Sequence, residues 1–248
     1  MKNFFKRINR IFQDYMREKR LKIGKAIWDK KEKTNIIKGN NFIENNNIKS
    51  ILFLRYDGKI GDMIVNSLMF REIKKVYPDI KIGLVARGAA IDIVKDNPNV
   101  DEIYEYHKDR KKIKELALKI KEEKYDLLID FSEMLRVNQM MLINLCGARI
   151  NIGIEKENWN LFDVSLNVRD FNQHISELYI KILKFLGIDN INSSYDVFSS
   201  NYLLKDLNLE NKKYCVFNPY AASKHRSFSS ENIEKISKII LEKSYENL

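Results

Sequence analysis

The chain has 248 residues, 44% hydrophobic and 31% charged, with a formal net charge of +10; that length suits one large core, or a core and part of a second. No run approaches the roughly 18 apolar residues of a membrane span, and charges interrupt the N-terminus where an export signal carries its apolar centre, which places the protein in the cytoplasm. Cys146 and Cys215 form no CxxC pair and sit in apolar runs, so both read as buried thiols, and the scattered His107, His174 and His225 leave no metal site and no cofactor to expect.

The charge is unevenly spread. Residues 1–33 hold twelve Lys/Arg against four acids, a net +8, which leaves +2 for residues 34–248. The basic character therefore belongs to a leader, and the balanced remainder argues against a nucleic-acid partner. Within the leader Phe5, Ile8, Phe12 and Tyr15 fall at helical spacing, widened by Phe4, Ile11 and Met16, with basic residues on the other face. Such a helix either lies on an anionic membrane surface, at the inner face of the cytoplasmic membrane, or docks on its own domain. Both readings stay open.

Residues 34–49 are Asn-rich and aperiodic, as a linker is. From Ser50 short apolar runs alternate with helical patterns, the signature of a parallel sheet covered by helices on both faces. The predicted strands are 51–55, 80–86, 102–106, 126–130 and 149–154. The predicted helices are 62–76, 89–96, 110–123 (Ile113, Leu116 and Ile120 on one face), 134–146 and 173–186. Ile175, Leu178, Ile182 and Leu186 give the last its stripe, and Gly187 its stop. These elements make an α/β domain over 50–190. Residues 191–211 read as a connection, and 212–248 as the start of a second domain, with a strand at 213–218 and a helix at 229–244. One βα unit cannot bury both faces of a parallel strand, so that second domain reads as incomplete.

The segment with most chemical content follows the first strand: Arg55-Tyr56-Asp57-Gly58-Lys59-Ile60-Gly61-Asp62. In doubly wound folds this loop lies at the carboxyl edge of the sheet, where ligands bind. Gly58 and Gly61 permit tight or left-handed backbone, and helix N-terminal amides stand behind them. The spacing matches neither a P-loop nor a dinucleotide fingerprint. Asp62 reads first as a helix-start residue favoured by the dipole, and compatibly as a carboxylate kept ionised for use as a base; Asp57 reads first as a turn residue and otherwise as a second acid.

Together with Asp96 to Val100, Tyr125-Asp126, Arg149 to Gly153, His174 and the segment Asn218-Pro219-Tyr220-Ala221-Ala222-Ser223-Lys224-His225-Arg226-Ser227-Phe228, this motif resembles glycosyltransferase family 9, the ADP-heptose:lipopolysaccharide heptosyltransferases, from about residue 50 onward. The resemblance implies a GT-B architecture, with a Rossmann-like acceptor-side domain and the opening βα unit of a nucleotide-sugar domain. It implies metal-independent, inverting transfer of a sugar from a nucleotide-diphosphate donor, ADP-heptose by likeness, to a lipid-linked lipopolysaccharide core acceptor. Asp62 takes the place of the general base, while Lys224 and Arg226 take that of the donor-phosphate cations. By position rather than likeness, Gly58, Lys59 and Gly61 are loop backbone near substrate, and Arg136, just after the fourth strand, and Asp57 are candidate acceptor contacts. Competing readings are a catalytically inactive acceptor-domain fragment and a basic membrane-surface adaptor on a Rossmann-like domain.

Overall fold

The computed structural model describes residues 2–132, 134–168, 170, 172–198, 214–221, 225 and 227–245. The chain divides into two compact units, Met1–Ser199 and Ser200–Leu248.

In the first unit six parallel strands form one sheet: β1 (Ser50–Leu54), β2 (Lys81–Ala86), β3 (Glu102–Glu105), β4 (Leu127–Asp130), β5 (Ile150–Ile154) and β6 (Val164–Leu166), in the order β3-β2-β1-β4-β5-β6. The five predicted strands are all present. Because successive side chains point to opposite faces, Ile51 and Phe53 enter one core while Leu52 and Leu54 enter another. The first core is closed by α2 (Phe42–Asn45), α3 (Ile60–Val76), α4 (Ala89–Val94) and α7 (Ile175–Leu186). The second is closed by α5 (Arg110–Glu122) and α6 (Val137–Cys146), with α1 (Lys2–Trp28) packed over α6. Strand order reverses between β1 and β4, which leaves a crevice beyond their carboxyl ends.

Caps end these helices as their sequences dictate. Asp109 Oδ1 accepts from the amides of Lys111 and Lys112 at the start of α5. Gly187, at φ +98, supplies the left-handed residue after α7, where an added Cβ would come within 2.6 Å of Asn41.

Several expectations need correction. The stretch 34–49 is no bare linker: it contains α2, whose Phe42 and Ile43 are buried, and Asn46 holds Ile37 through both its amide oxygen and its amide nitrogen. β6 was hidden because three residues carry too little pattern. α6 begins at Val137 rather than 134, with Arg136 in extended backbone before it.

The leader docks on its own domain through the end of α1. Leu21 and Trp28 pack on the second core, Gly24 lies so close to Val137 that a Cβ would sit 2.6 Å from it, and buried Asp29 accepts from the Leu161 amide.

In the second unit α8 (Ser230–Tyr245) appears where the helix was predicted, and Ser229 Oγ accepts from the Asn232 amide at its start. The loop before it closes on itself, with the Phe228 amide donating to Pro219 O. The strand expected at 213–218 is absent from its described residues, Tyr214–Asn218, which pair with no neighbouring strand. Cys215 is accordingly exposed rather than buried, whereas Cys146 is buried and its thiol is pushed up to about 12 by desolvation.

Candidate functional site

The crevice at the β1/β4 switch point widens into a cavity of about 940 Å³, lined within the first unit by residues from Leu54 to Tyr179. Three helices open their N-termini on it: α3 with Lys59 and Asp62, α6 with Arg136 to Gln139, and α7 with Gln173 to Ile175. Unpaired amides and aligned helix dipoles make that space favourable to negative charge. Side chains add to it, since Arg55, Lys59, Arg87, Lys108 and Arg136 line the wall against Asp57, Asp62 and Asp170.

Asp62 sits in the first turn of α3, two-thirds shielded, with no side-chain cap recorded for that helix. Its carboxylate meets Arg55 Nη2 at 3.2 Å and Lys59 Nζ at 3.4 Å, and it lines the cavity. Asp57 makes the turn contact expected of it, its Oδ1 accepting from the Lys59 amide at 3.4 Å, and its Oδ2 lies 3.7 Å from Arg55 on the cavity wall. Gly58 stands at φ +72, and a Cβ there would press to 3.3 Å of Arg87 O. Gly61 has neither constraint, so only Gly58 needs to be glycine for the backbone's sake. Neither lines the cavity. Lys59 and Arg136 do, as residues immediately preceding α3 and α6. Lys224 and Arg226 lie outside the described residues.

Buried polar residues in and around the site escaped the sequence reading. Arg55 closes β1 as its last predicted residue, yet it is 5% exposed, stacks over Phe131 at 5.3 Å, and leaves Nε without a hydrogen-bond partner among the described residues while Nη2 makes the ion pair with Asp62. On the neighbouring strand, fully buried Asp130 at the end of β4 accepts from Tyr56 Oη at 2.5 Å and from Ser132 Oγ at 2.6 Å. Lys156, 1% exposed, sends Nζ to Ser132 O and Ile154 O, each at 2.6 Å. Gly153 leaves room for it, because a Cβ there would lie 2.5 Å from the Lys156 chain. Burial, first of all, holds the Asp130 carboxyl above its ordinary range, against the pull of Ser132, Tyr56 and Lys156; burial and the Asp130 charge push the Tyr56 phenol well up.

His174 precedes α7 and lines the cavity; its Nδ1 accepts from the Ser176 amide at 3.3 Å and lies 2.8 Å from Ser176 Oγ. Among the described residues no three His, Cys, Asp or Glu gather to hold a metal ion, and no helix is long and apolar enough to cross a membrane.

A family model described as a family of unknown function, DUF6913, matches residues 89–186. Over 99 residues the chain is 28% identical to lipopolysaccharide heptosyltransferase 3 of Escherichia coli, a match spanning 37% of this chain and 28% of that protein. Among solved structures, the glycosyltransferase family 9 protein of Veillonella parvula DSM 2008 superimposes with a TM-score of 0.63 at 18% identity, covering 80% of this chain and 60% of that one. The E. coli heptosyltransferase WaaC, solved with ADP, gives 0.59 at 14% identity, covering 77% and 64%. The chain thus spans about three-fifths of the length of these neighbours. It shares the fold of GT-B heptosyltransferases, as the resemblance read from its sequence implies.

Proposed function

We propose that this chain, built on the fold of the family 9 glycosyltransferases, carries the acceptor side of a heptosyltransferase-like enzyme that moves a sugar from a nucleotide diphosphate to an anionic, lipid-linked core oligosaccharide with inversion. The observation that carries the reading is the position of Asp62: a carboxylate at the start of α3, steadied by Arg55 and Lys59, on the wall of a cavity into which three helix N-termini open.

In this reading an acceptor hydroxyl enters the cavity and gives its proton to Asp62 as its oxygen attacks the donor's anomeric carbon. The bond from that carbon to the diphosphate breaks, and the electron pair leaves with the phosphate. A hydroxyl is a poor nucleophile near pH 7, and a positioned carboxylate accelerates such a step by typically 10² to 10⁴. Arg55 holds Asp62 through Nη2 and keeps Nε free of a hydrogen bond among the described residues, so that its fixed guanidinium suits an acceptor oxygen as well. Arg87, Lys108 and Arg136 suit the acceptor's phosphate or carboxylate groups. For the donor, WaaC has been solved with ADP and with a fluorinated ADP-heptose; an ADP-sugar is our proposal here. By resemblance Lys224 and Arg226 would meet its phosphates, where cations offset the charge of the leaving group.

The test is sugar transfer from ADP-heptose to a lipooligosaccharide acceptor, followed by mass spectrometry beside direct titration of acceptor binding. Asp62→Asn should lower turnover by roughly 10² or more while acceptor affinity holds. Undiminished transfer would remove Asp62 as the base, and loss of acceptor binding alone would make it a binding residue.

A further inference from the structure

Helix α1 presents two separate faces. At 3.6 residues per turn, Leu21, Gly24 and Trp28 share the side that packs on α6 and the second core. Ile11, Phe12, Tyr15 and Ile23 fall on the other side. All four are more than half exposed, between 51% and 62%. The apolar stripe is therefore not what docks the helix, and it remains uncovered by the domain. Across α1 nine Lys/Arg stand against two acids; Arg7, Arg10, Arg17 and Arg20 flank or oppose the stripe and are exposed.

We propose that this stripe is the in-plane membrane anchor of the chain, lying in the interface of an anionic bilayer with Ile11, Phe12 and Tyr15 among the acyl chains and the arginines at the headgroups. The charge chooses the occupant. Two copies meeting along the stripe would bring a strongly cationic helix against its like, whereas anionic lipid attracts each Lys or Arg near its surface and takes up large apolar side chains on the opposite face. The end of the same helix is fastened: Lys25 Nζ donates to Asn158 O at 2.6 Å and lies 4.4 Å over the Trp159 ring, and Asp29 is buried. Gly24 rests on Val137, and Val137 lines the cavity. A bilayer held by α1 is thus mechanically tied to one wall of the site, inside a single unit.

The proposal does not depend on the sugar-transfer reading, since Asp62 takes no part in it. Flotation of the full chain with vesicles of phosphatidylcholine, with and without phosphatidylglycerol, tests it. Deleting the leader would be a poor probe, because Trp28 and Asp29 belong to the core; point variants of the free face are cleaner. The wild type and Asp62→Asn should float equally with phosphatidylglycerol vesicles and not with phosphatidylcholine alone. Ile11→Glu with Phe12→Glu should abolish flotation, and Arg7→Glu with Arg10→Glu should weaken it roughly tenfold or more, all with thermal midpoints unchanged. Failure of the wild type to float, or flotation that survives the Ile11 and Phe12 changes, would overturn the proposal. So would a wild-type dimer in sedimentation that these changes split without any lipid binding, which would make the stripe a contact between copies.

Discussion

Arg55 and Asp130 show how the end of a buried strand is made polar without being wasted. The strand Ser50–Leu54 is an apolar run that buries itself on both faces, and the next residue is a guanidinium covered by Phe131 and paired with two carboxylates. A charge so placed is costly unless paired, and its pairing with Asp62 fixes the acid that the site is proposed to use. Asp130, one strand away, has the opposite problem: burial opposes its charge, and Tyr56, Ser132 and Lys156 only partly offset this. An acid whose folded pKa is raised binds more protons folded than unfolded, so it costs stability as pH climbs from its unfolded value, near 3.8, through the raised one. Asp130→Asn should escape that cost. Urea denaturation from about pH 4 upward should show the variant gaining on the wild type as pH rises, with the difference levelling off once Asp130 is ionised in both states. A difference that stays flat across that range would mean that Asp130 is ionised throughout.

At the scale of the element, α3 does two jobs along its length. Its start carries Asp62 to the cavity, and its middle fastens the segment that leaves α7. Arg71 donates to Asp196 Oδ2 at 2.7 Å, to the Asn192 and Ser194 carbonyls, and to Glu72, which is 1% exposed; Ser67 Oγ accepts from the Asp196 amide. Arg71→Ala would leave Glu72 buried with, among the described residues, only a 3.5 Å contact to Lys75. We expect a loss of about 2–4 kcal/mol in chemical denaturation, larger than that of removing an exposed pair such as Lys22 with Glu18, where the effect should be close to nothing. None of this could be read from the sequence, because Arg71 and Asp196 stand 125 residues apart. What could be read was whatever repeats locally. Five strands announced themselves as apolar runs between helical stripes, and α7 by Leu178, Ile182 and the glycine after it. β6 and α2 are too short for any period. The apolar run at 213–218 misled for a physical reason: a strand is made by its neighbour, and Tyr214–Asn218 have none among the described residues.

For the whole molecule, the order β3-β2-β1-β4-β5-β6 decides where chemistry is possible, since it opens a crevice where the direction of strand addition reverses. The loop bearing Asp62 was legible as a motif at that edge. Arg136, which follows β4, was named from the sequence as a candidate acceptor contact, but Arg87 and Lys108 were not, because they follow β2 and β3 and join it only when parallel strands align their carboxyl ends. That convergence makes the cavity a summed electrostatic object, in which five cations and three acids face one space with three helix N-termini behind them. A field of this kind attracts anions over a distance, and salt screens it, with a Debye length of about 10 Å at 0.1 M. Binding of a phosphorylated core oligosaccharide should therefore weaken as ionic strength rises. Replacing Arg87 and Arg136 together by alanine should lower its affinity by roughly tenfold or more, since hydrogen bonds to charged groups contribute about 1.5–3 kcal/mol each. The same double variant should flatten the salt dependence, while an uncharged oligosaccharide of the same length should respond to neither change. Equal weakening of both ligands would assign the two arginines to the shape of the cavity wall rather than to its charge.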